Sequence, residues 1–332
     1  MRILITGGAG YIGSHTAIKA LESNHKVLIV DNFSNSSKTI LDKIKYLTGK
    51  SFLFEKCDLL KKNKLKKIFF NFKPQIVIHF AGMKSVEESI KLPLYYFANN
   101  VTSTINLLEA MNANNCHSII FSSSATVYGI PKYSPCDEKH PISPINPYGR
   151  SKFFTEEIIK DWTSSKIENK SVILRYFNPV GAHKSGLIGE SPKGKPNNLF
   201  PYLSDVITGK YNHLSVYGND YETKDGTGVR DYIHVEDLAK AHINCLNFLS
   251  NKIKNEIINL GTGIGYSVLE IINEFEKTIK AKVPFTIKPR RFGDVGELVA
   301  DNKKAFNLLE WKINNGLQEI CEDTIRWIKL NN

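Results

Sequence analysis

The chain has 332 residues, of which 42% are hydrophobic and 23% charged, and it carries a formal net charge of +11. That length supports about two domains and a core that needs no covalent staples, and the composition excludes fibrous and disordered classes. The positive charge does not by itself make a nucleic-acid protein, because the lysines are scattered and the one dense run, at 61–67, leads into Ile68 and Phe69 with Leu65 at helical spacing, the pattern of an amphipathic helix with a solvated face.

Residues 2–6 read as a short apolar strand, followed at once by Gly7-Gly8-Ala9-Gly10-Tyr11-Ile12-Gly13 and a helix through Leu21. A lone Gly-x-Gly-x-x-Gly is weak, but between a strand and a helix it has a mechanism. The glycines let the backbone turn tightly and approach a pyrophosphate, whose charge meets the helix N-terminus. A second strand over 26–30 ends in Asp31, eighteen residues after Gly13. A carboxylate there accepts ribose hydroxyls and repels a 2'-phosphate, which points to NAD over NADP. The βα rhythm continues with a strand over 52–55 that ends near Asp58, the lysine-rich helix, and a strand over 75–79 leading to Phe80-Ala81-Gly82-Met83-Lys84. Ala81 and Gly82 are small enough to pack against a dinucleotide, and Lys84 has the reach for a phosphate or sugar hydroxyl. His79, inside an apolar strand, reads as a satisfied core histidine.

A long helix is expected over 94–112, containing Asn99, then a fifth strand over 118–121 running into Ser122-Ser123-Ser124-Ala125-Thr126-Val127-Tyr128-Gly129. This alternation defines an α/β protein with a doubly wound parallel (Rossmann) sheet, its site at the strands' carboxyl ends, and a smaller mixed α/β substrate domain. In Asn146-Pro147-Tyr148-Gly149-Arg150-Ser151-Lys152 a phenol and an ammonium stand four apart at the start of a helix, on one face. Bringing a phenol from a pKa of about 10 to about 7 takes roughly 4 kcal/mol. A cation at about 4 Å supplies that where the effective dielectric is near 20, so Lys152 activates Tyr148 only in a closed site. Tyr-x-x-x-Lys alone also describes a surface tyrosine and a solvated lysine. With Ser124 at a strand end of a dinucleotide domain the three become a set for hydride chemistry: Tyr148 exchanges a hydroxyl proton, Ser124 holds that hydroxyl and Lys152 tunes the phenol.

The five cysteines, Cys57, Cys116, Cys136, Cys245 and Cys321, are odd in number and dispersed, suggesting neither disulfides nor zinc and matching a reducing cytoplasm. Entry into a strand at Arg2 leaves no room for a signal peptide, and no apolar run reaches transmembrane length. Gly-x-Ser-x-Gly, His-Glu-x-x-His and P-loop motifs are absent from the sequence.

These strings resemble the extended short-chain dehydrogenase/reductase family, and within it the nucleotide-sugar 4-epimerases acting on UDP-galactose and UDP-glucose. The resemblance covers almost the whole chain: the loop at 6–15, Asp31-Asn32, 79–84, 122–129, the Tyr148 segment, 175–182, Pro196-Asn197-Asn198-Leu199 and 226–237. It implies that NAD stays bound as a prosthetic group. Tyr148 as phenolate then removes the 4-hydroxyl proton, C4 gives hydride to the nicotinamide, and the 4-keto sugar turns over so that hydride returns to its other face. By the same resemblance Asn32, Asn35, Ser36, Asp58, Leu59, Asn99 and Phe177 join the glycine loop, Asp31, Phe80, Ala81, Gly82 and Lys84 around NAD. On the substrate side it implies Lys84, Asn178, Asn198, Leu199, Arg230, Arg291, Asp294 and Leu298. Without the family, Arg290-Arg291 reads as a solvated pair and Arg230-Asp231 as a local ion pair.

The expected division is 1–178 for NAD and 179–332 for the UDP-sugar, with a helix over 234–249 packing back on the first part and a strand over 256–260. The resemblance implies a homodimer through the helices at 94–112 and 147–164. Two departures stand out. Arg290-Arg291-Phe292-Gly293-Asp294 lacks the carboxylate that many relatives have in place of Phe292. Leu298 stands where bacterial relatives restricted to non-acetylated sugars usually have tyrosine, which leaves room for a 2-acetamido group and suggests UDP-GlcNAc and UDP-GalNAc as further substrates. The rivals are a 4,6-dehydratase, which needs an Asp-Glu pair where Ala125 and Thr126 stand, a uronate epimerase or decarboxylase, and a non-catalytic NAD-binding scaffold.

Overall fold

A computed structural model describes residues 1–194, 196, 198–250, 255–291 and 293–331. Asn197 and Phe292, quoted above, lie outside the described residues.

The chain opens on β1 (Arg2–Thr6), the glycine loop and α1 (Tyr11–Glu22), then alternates through β2 (Lys26–Asp31), α2 (Thr39–Thr48), β3 (Leu53–Lys56), α3 (Lys62–Phe72) and β4 (Ile76–His79). There follow α4 (Val86–Lys91), α5 (Pro93–Phe97), α6 (Ser103–Ala113), β5 (Ser118–Ser124), α7 (Pro147–Ser165) and β6 (Lys170–Tyr176). The second half contains β7 (Asn178–Val180), α8 (Leu199–Ile207), β8 (Leu214–Tyr217), β9 (Val229–His234), α9 (Val235–Ser250) and β10 (Asn255–Leu260). It closes with β11 (Gly265–Ser267), α10 (Val268–Ile279), β12 (Phe285–Lys288), β13 (Glu297–Leu298), α11 (Lys303–Leu309) and α12 (Leu317–Asn331).

Seven strands form one parallel sheet in the order β10-β6-β5-β4-β1-β2-β3. The order reverses between β1 and β4, the place where such sheets open a crevice beyond their carboxyl ends. The inner strands are largely apolar on both faces because helices cover both, whereas the edge strand β3 is mostly exposed. Ile3 and Ile5 pack with Ile18, Leu21, Leu238, Leu249 and Trp311 on one side, while Leu4 packs with Leu65, Phe69, Leu107, Met111, Ile159 and Trp162 on the other. The lysine-rich run is α3, with Leu65, Ile68 and Phe69 buried and its lysines exposed. α9 shares its core with α1, and β10, which lies well past residue 178, hydrogen-bonds to β6 and completes the sheet. β11, β9, β13 and β7 make a second sheet, and β12 pairs with β8.

Most expected elements fall within a few residues of the observed ones, but the helix over 94–112 does not run unbroken. Pro93 starts a separate short helix, and a π turn over Ala98–Thr102 interrupts the path to α6. The buried side chain of Asn100 explains the bulge: its Oδ1 accepts from the Met83 amide at 2.7 Å, and its Nδ2 donates to Met83 O at 3.1 Å and Ser151 Oγ at 2.9 Å. Serving partners outside the helix displaces the local hydrogen-bond ladder, as π bulges commonly do near functional sites. β5 runs three residues further than expected, to Ser124, paired in register with β6 throughout.

Candidate active site

The glycine loop has the close fit that its sequence calls for. Gly7 has φ +67 and a Cβ there would lie 2.8 Å from Ala81 N, while one on Gly13 would lie 2.3 Å from Gly7 O. Only glycine lets α1 start so tightly against β1 and the loop after β4. The N-cap of α1 is Gly10, with no side-chain cap and no acidic residue in the first turn, which leaves the positive end of the helix to an anion from elsewhere. Tyr11 closes one edge, its hydroxyl donating to Gly181 O at 2.7 Å, and Ile12 packs on the core below.

Asp31 is held by three donors, the Ala9 and Phe33 amides at 3.0 and 2.8 Å and Ser36 Oγ at 2.9 Å. Asn32 Nδ2 donates to Asp58 Oδ2 at 3.2 Å, Asn35 Oδ1 accepts from the Lys193 amide at 3.3 Å, and Leu59 is buried beside them. This carboxylate-rich corner beyond β2 and β3 suits ribose hydroxyls and opposes a phosphate. On the other side of the reversal, Phe80 packs at 4.9 Å from the His242 ring, and the Ala81 amide donates to Thr6 Oγ1 at 3.4 Å. A Cβ on Gly82 would stand 3.2 Å from Asn100 Oδ1, so a larger residue there would crowd Asn100. Lys84 is paired with Glu190 at 2.5 Å, and Asn99 lies half-buried on the π turn. These residues fit a dinucleotide. Among the described residues no group of three or more His, Cys, Asp or Glu is placed to hold a metal.

The reactive groups come from β5 and α7. Asn146 caps α7, accepting from the Gly149 amide at 2.8 Å, with Pro147 in the first turn. A Cβ on Gly149 would be 2.8 Å from Thr126 O, so this glycine lets the helix start close against the turn that follows Ser124. Tyr148 and Lys152 are 9% and 6% exposed, both on the inner face. The Ser124 hydroxyl stands close enough to the Tyr148 phenol to act on it, and Ser124 Oγ accepts from the Thr126 hydroxyl at 3.0 Å. Lys152 Nζ donates to Ser122 O at 2.7 Å and sits 4.9 Å from the Phe121 ring centroid and 5.9 Å from that of Tyr148.

Burial pushes the phenol up to about 12, with the nearby Ser124 hydroxyl pulling the other way. Burial also draws Lys152 down to about 8, opposed by the Glu156 carboxylate. The site is therefore closed enough for charge to act at full strength, and the phenol needs positive charge to ionise near neutrality. Glu156, one turn beyond Lys152 on the same face, escaped the sequence reading although its spacing marks it. It is fully buried, binding Arg175 through both oxygens at 2.7 and 3.0 Å and accepting from Ser123 Oγ at 2.5 Å. His79 is a satisfied core residue, bonded to Thr6 Oγ1 at 2.7 Å and Thr104 Oγ1 at 2.9 Å, and burial lowers it to about 3.

The second sheet carries three of the other candidates. Asn178 opens β7 directly after the buried Phe177, and in β9 Arg230 stands opposite Leu298 of β13. Leu298 packs in one cluster with Ala125, Phe177 and Ala300, which places it next to the turn that follows Ser124. Asn198 is the N-cap of α8 without a side-chain bond, and Leu199 begins that helix. Arg230 does not pair with its neighbour: Asp231 is buried and accepts from Thr262, Gly263 and Ala300 amides at 2.7 to 3.2 Å. Arg291 lies over the Tyr217 ring at 4.7 Å and pairs with Asp294 at 2.9 Å, while Arg290 pairs with Asp220 at 2.7 Å, and both arginines remain solvent-exposed.

A parallel sheet with a glycine-loop cleft, and a buried Tyr and Lys beside a partly buried Ser at its carboxyl edge, defines the nicotinamide-dependent short-chain dehydrogenase/reductase class. A family model described as GDP-mannose 4,6 dehydratase matches residues 4–324. The chain is 51% identical to UDP-glucose 4-epimerase 2 of Arabidopsis thaliana, over 99% of this chain and 95% of the relative, and 49% identical to the UDP-glucose 4-epimerase of Bacillus subtilis, over 100% and 98%. It thus belongs to the UDP-glucose 4-epimerase family, within the broader group that the family model describes. Among solved structures it is similar to the Bifidobacterium longum UDP-glucose 4-epimerase in complex with NAD+ and UDP, with TM-score 0.96, 45% identity and coverage of 100% of this chain and 99% of that one. The Stenotrophomonas maltophila enzyme with bound NAD and formylated UDP-arabinopyranose gives TM-score 0.97 at 43% identity, covering 99% and 98%.

Proposed function

We propose that the chain interconverts UDP-galactose and UDP-glucose by inverting C4 of the sugar, with NAD held in the cleft of the seven-stranded sheet. The single observation that carries the reading is the set of buried Tyr148 and Lys152 with the partly buried Ser124, in a chain about half identical over its full length to UDP-glucose 4-epimerases. A nicotinamide held in that cleft would supply the acceptor and donor for the C4 hydride. Tyr148 accepts the 4-hydroxyl proton and later returns it, Ser124 orients that hydroxyl, and Lys152 supplies positive charge to the phenolate. A 4-keto sugar that turns over about its diphosphate link presents its other face, so configuration inverts with no net redox change.

Gly7, Gly10, Tyr11, Ile12, Gly13, Asp31, Asn32, Asn35, Ser36, Asp58, Leu59, Phe80, Ala81, Gly82, Lys84, Asn99 and Phe177 are assigned to NAD together with the three catalytic residues. Asn178, Asn198, Leu199, Arg230, Arg291, Asp294 and Leu298 are assigned to the UDP-sugar, with Lys84, Ser124 and Tyr148 shared. We take 1–178 as the NAD lobe and 179–332 as the sugar lobe, with 235–260 returning to the sheet. A dehydratase is disfavoured because Ala125 has no titratable group and the Thr126 hydroxyl is spent on Ser124. The small Leu298 beside Phe177 supports turnover of UDP-GlcNAc and UDP-GalNAc as well.

A homodimer is supported by an apolar surface on the helices of its expected interface: Leu94 is 82% exposed, with Tyr95, Ile105 and Phe154 also outside. A cytoplasmic setting is supported by five free cysteines, all buried. The deciding assay gives purified protein UDP-galactose without added NAD and follows UDP-glucose by NMR. Conversion by the wild type and its loss in Tyr148→Phe is expected; equal rates would remove Tyr148 as the base, and conversion by neither would remove the function.

A further inference from the structure

Residues 181–193 leave β7, make a tight hairpin and return across the rim of the NAD lobe. The root is fixed within the chain. Ala182 bridges Gly189, the His183 amide donates to Ile188 O at 2.8 Å and the Gly186 amide to His183 O at 2.7 Å. The hairpin presses on α12, where a Cβ on Gly189 would come within 2.6 Å of the Trp327 ring and one on Gly186 within 2.7 Å of Leu330. Close packing of this kind does not slide, so the root moves only with the helix.

From that root the segment meets the first lobe at four places. Tyr11 OH donates to Gly181 O at 2.7 Å, Lys43 Nζ to Leu187 O at 2.9 Å, and Lys193 Nζ to Phe33 O at 2.9 Å and Ser34 O at 3.1 Å. Between them Lys84 Nζ is paired with Glu190 Oε1 at 2.5 Å. Three of the four partners, Tyr11, the Phe33–Ser34 turn and Lys84, belong to the glycine loop and to the loops after β2 and β4. One stretch of the second lobe thus ties together the three loops assigned to the dinucleotide. The Glu190 side chain is 11% exposed against 48% for Lys84. A nearly buried carboxylate is costly without its cation, and the Glu190 charge also acts on the Tyr11 phenol, which burial and then this carboxylate raise.

We infer that residues 181–193 form a strap that retains the dinucleotide, and that Glu190, acting through Lys84, is a positioning residue of that strap. The inference rests on the NAD-dependent reading above and deepens it. Hydride lifted from one carbon has to return to the same sugar, so a cofactor that escaped between the two transfers would strand a keto sugar. A strap over the cofactor loops prevents this and leaves the sugar side free to exchange.

The test follows exchange of bound NAD for radiolabelled NAD in the purified full chain. Glu190→Gln and Lys193→Met are each expected to exchange at least about tenfold faster than wild type, the effect falling on the off-rate. At saturating NAD their kcat stays within about threefold. Raising salt from about 0.05 to 0.5 M speeds exchange in the wild type but not in Glu190→Gln, because a half-exposed ion pair is screened. A purely structural Glu190 would lower thermal stability without a salt-dependent exchange. Wild-type exchange rates in the folded variants overturn the strap, and Lys193→Met alone decides if Glu190→Gln fails to fold. A wild type that neither carries nor takes up NAD overturns the parent reading instead.

Discussion

Replacing Lys152 with methionine removes the ammonium while keeping most of the side chain's bulk. Nζ lies 5.9 Å from the Tyr148 ring centroid. A unit charge at about 6 Å, with an effective dielectric near 20, is worth about 3 kcal/mol, or about 2 pKa units on the phenol. Burial already holds Tyr148 up at about 12, so this loss falls on a base that is hard to ionise. Near pH 7 the variant is expected to be about 100-fold slower in kcat with UDP-galactose at saturating NAD, and the deficit shrinks as pH rises. Burial brings Lys152 itself to about 8, so the wild type also loses ammonium charge above that pH, a fall that the variant lacks. The measurement is kcat from about pH 6 to 10, with melting read alongside, since Ser122 O loses its donor at a cost of about 1–3 kcal/mol. A deficit of the same size at every pH would refute the electrostatic reasoning and leave Lys152 as a purely positional group.

Glu156→Ala strands the buried Arg175 guanidinium and is expected to cost about 3–5 kcal/mol in urea unfolding; a loss below about 1 kcal/mol would contradict the buried pair. Leu298→Tyr fills the space beside Phe177, so the ratio of acetylated to plain sugar turnover should fall at least about tenfold, and an unchanged ratio would remove Leu298 as a determinant. Leu94→Arg places charge in the exposed apolar surface and should yield monomers in sedimentation at about micromolar concentration, where the wild type is expected to sediment as a dimer. His15, His79 and His242 are held by burial at about 3, 3 and 4 against an ordinary 6.5. Their folded values are depressed, so the unfolded chain binds more protons below about pH 6.5, and stability drains as pH falls through that window by roughly 2 kcal/mol per histidine at pH 5. A melting temperature flat from about pH 7 to 5 would count against these three remaining neutral.

The cofactor half was the more legible in sequence, and the reason is physical. Gly7, Gly13 and Gly149 mark places where a Cβ has no room, and such positions declare themselves in any sequence. Tyr148 and Lys152 share a face by helical spacing alone. Glu156 continues that face and was readable by the same rule, but a carboxylate eight residues from the phenol becomes a site feature only once β6 brings Arg175 against it. The break in the 94–112 helix was hidden because propensity is local and Asn100 answers to Met83 and Ser151, which are remote in sequence. The return of β10 to the sheet was likewise invisible, since an apolar strand carries no label of its neighbour. The Glu190–Lys84 pair depends on how two lobes meet, which no periodicity encodes.

The central claim is that one hydrogen leaves C4 and comes back to the same carbon without meeting solvent. UDP-galactose carrying deuterium at C4, converted by the purified chain in ordinary water and read by mass spectrometry and NMR, tests it most directly. The account expects UDP-glucose that keeps its deuterium at C4 through many turnovers. Product with that deuterium washed out to solvent would contradict it.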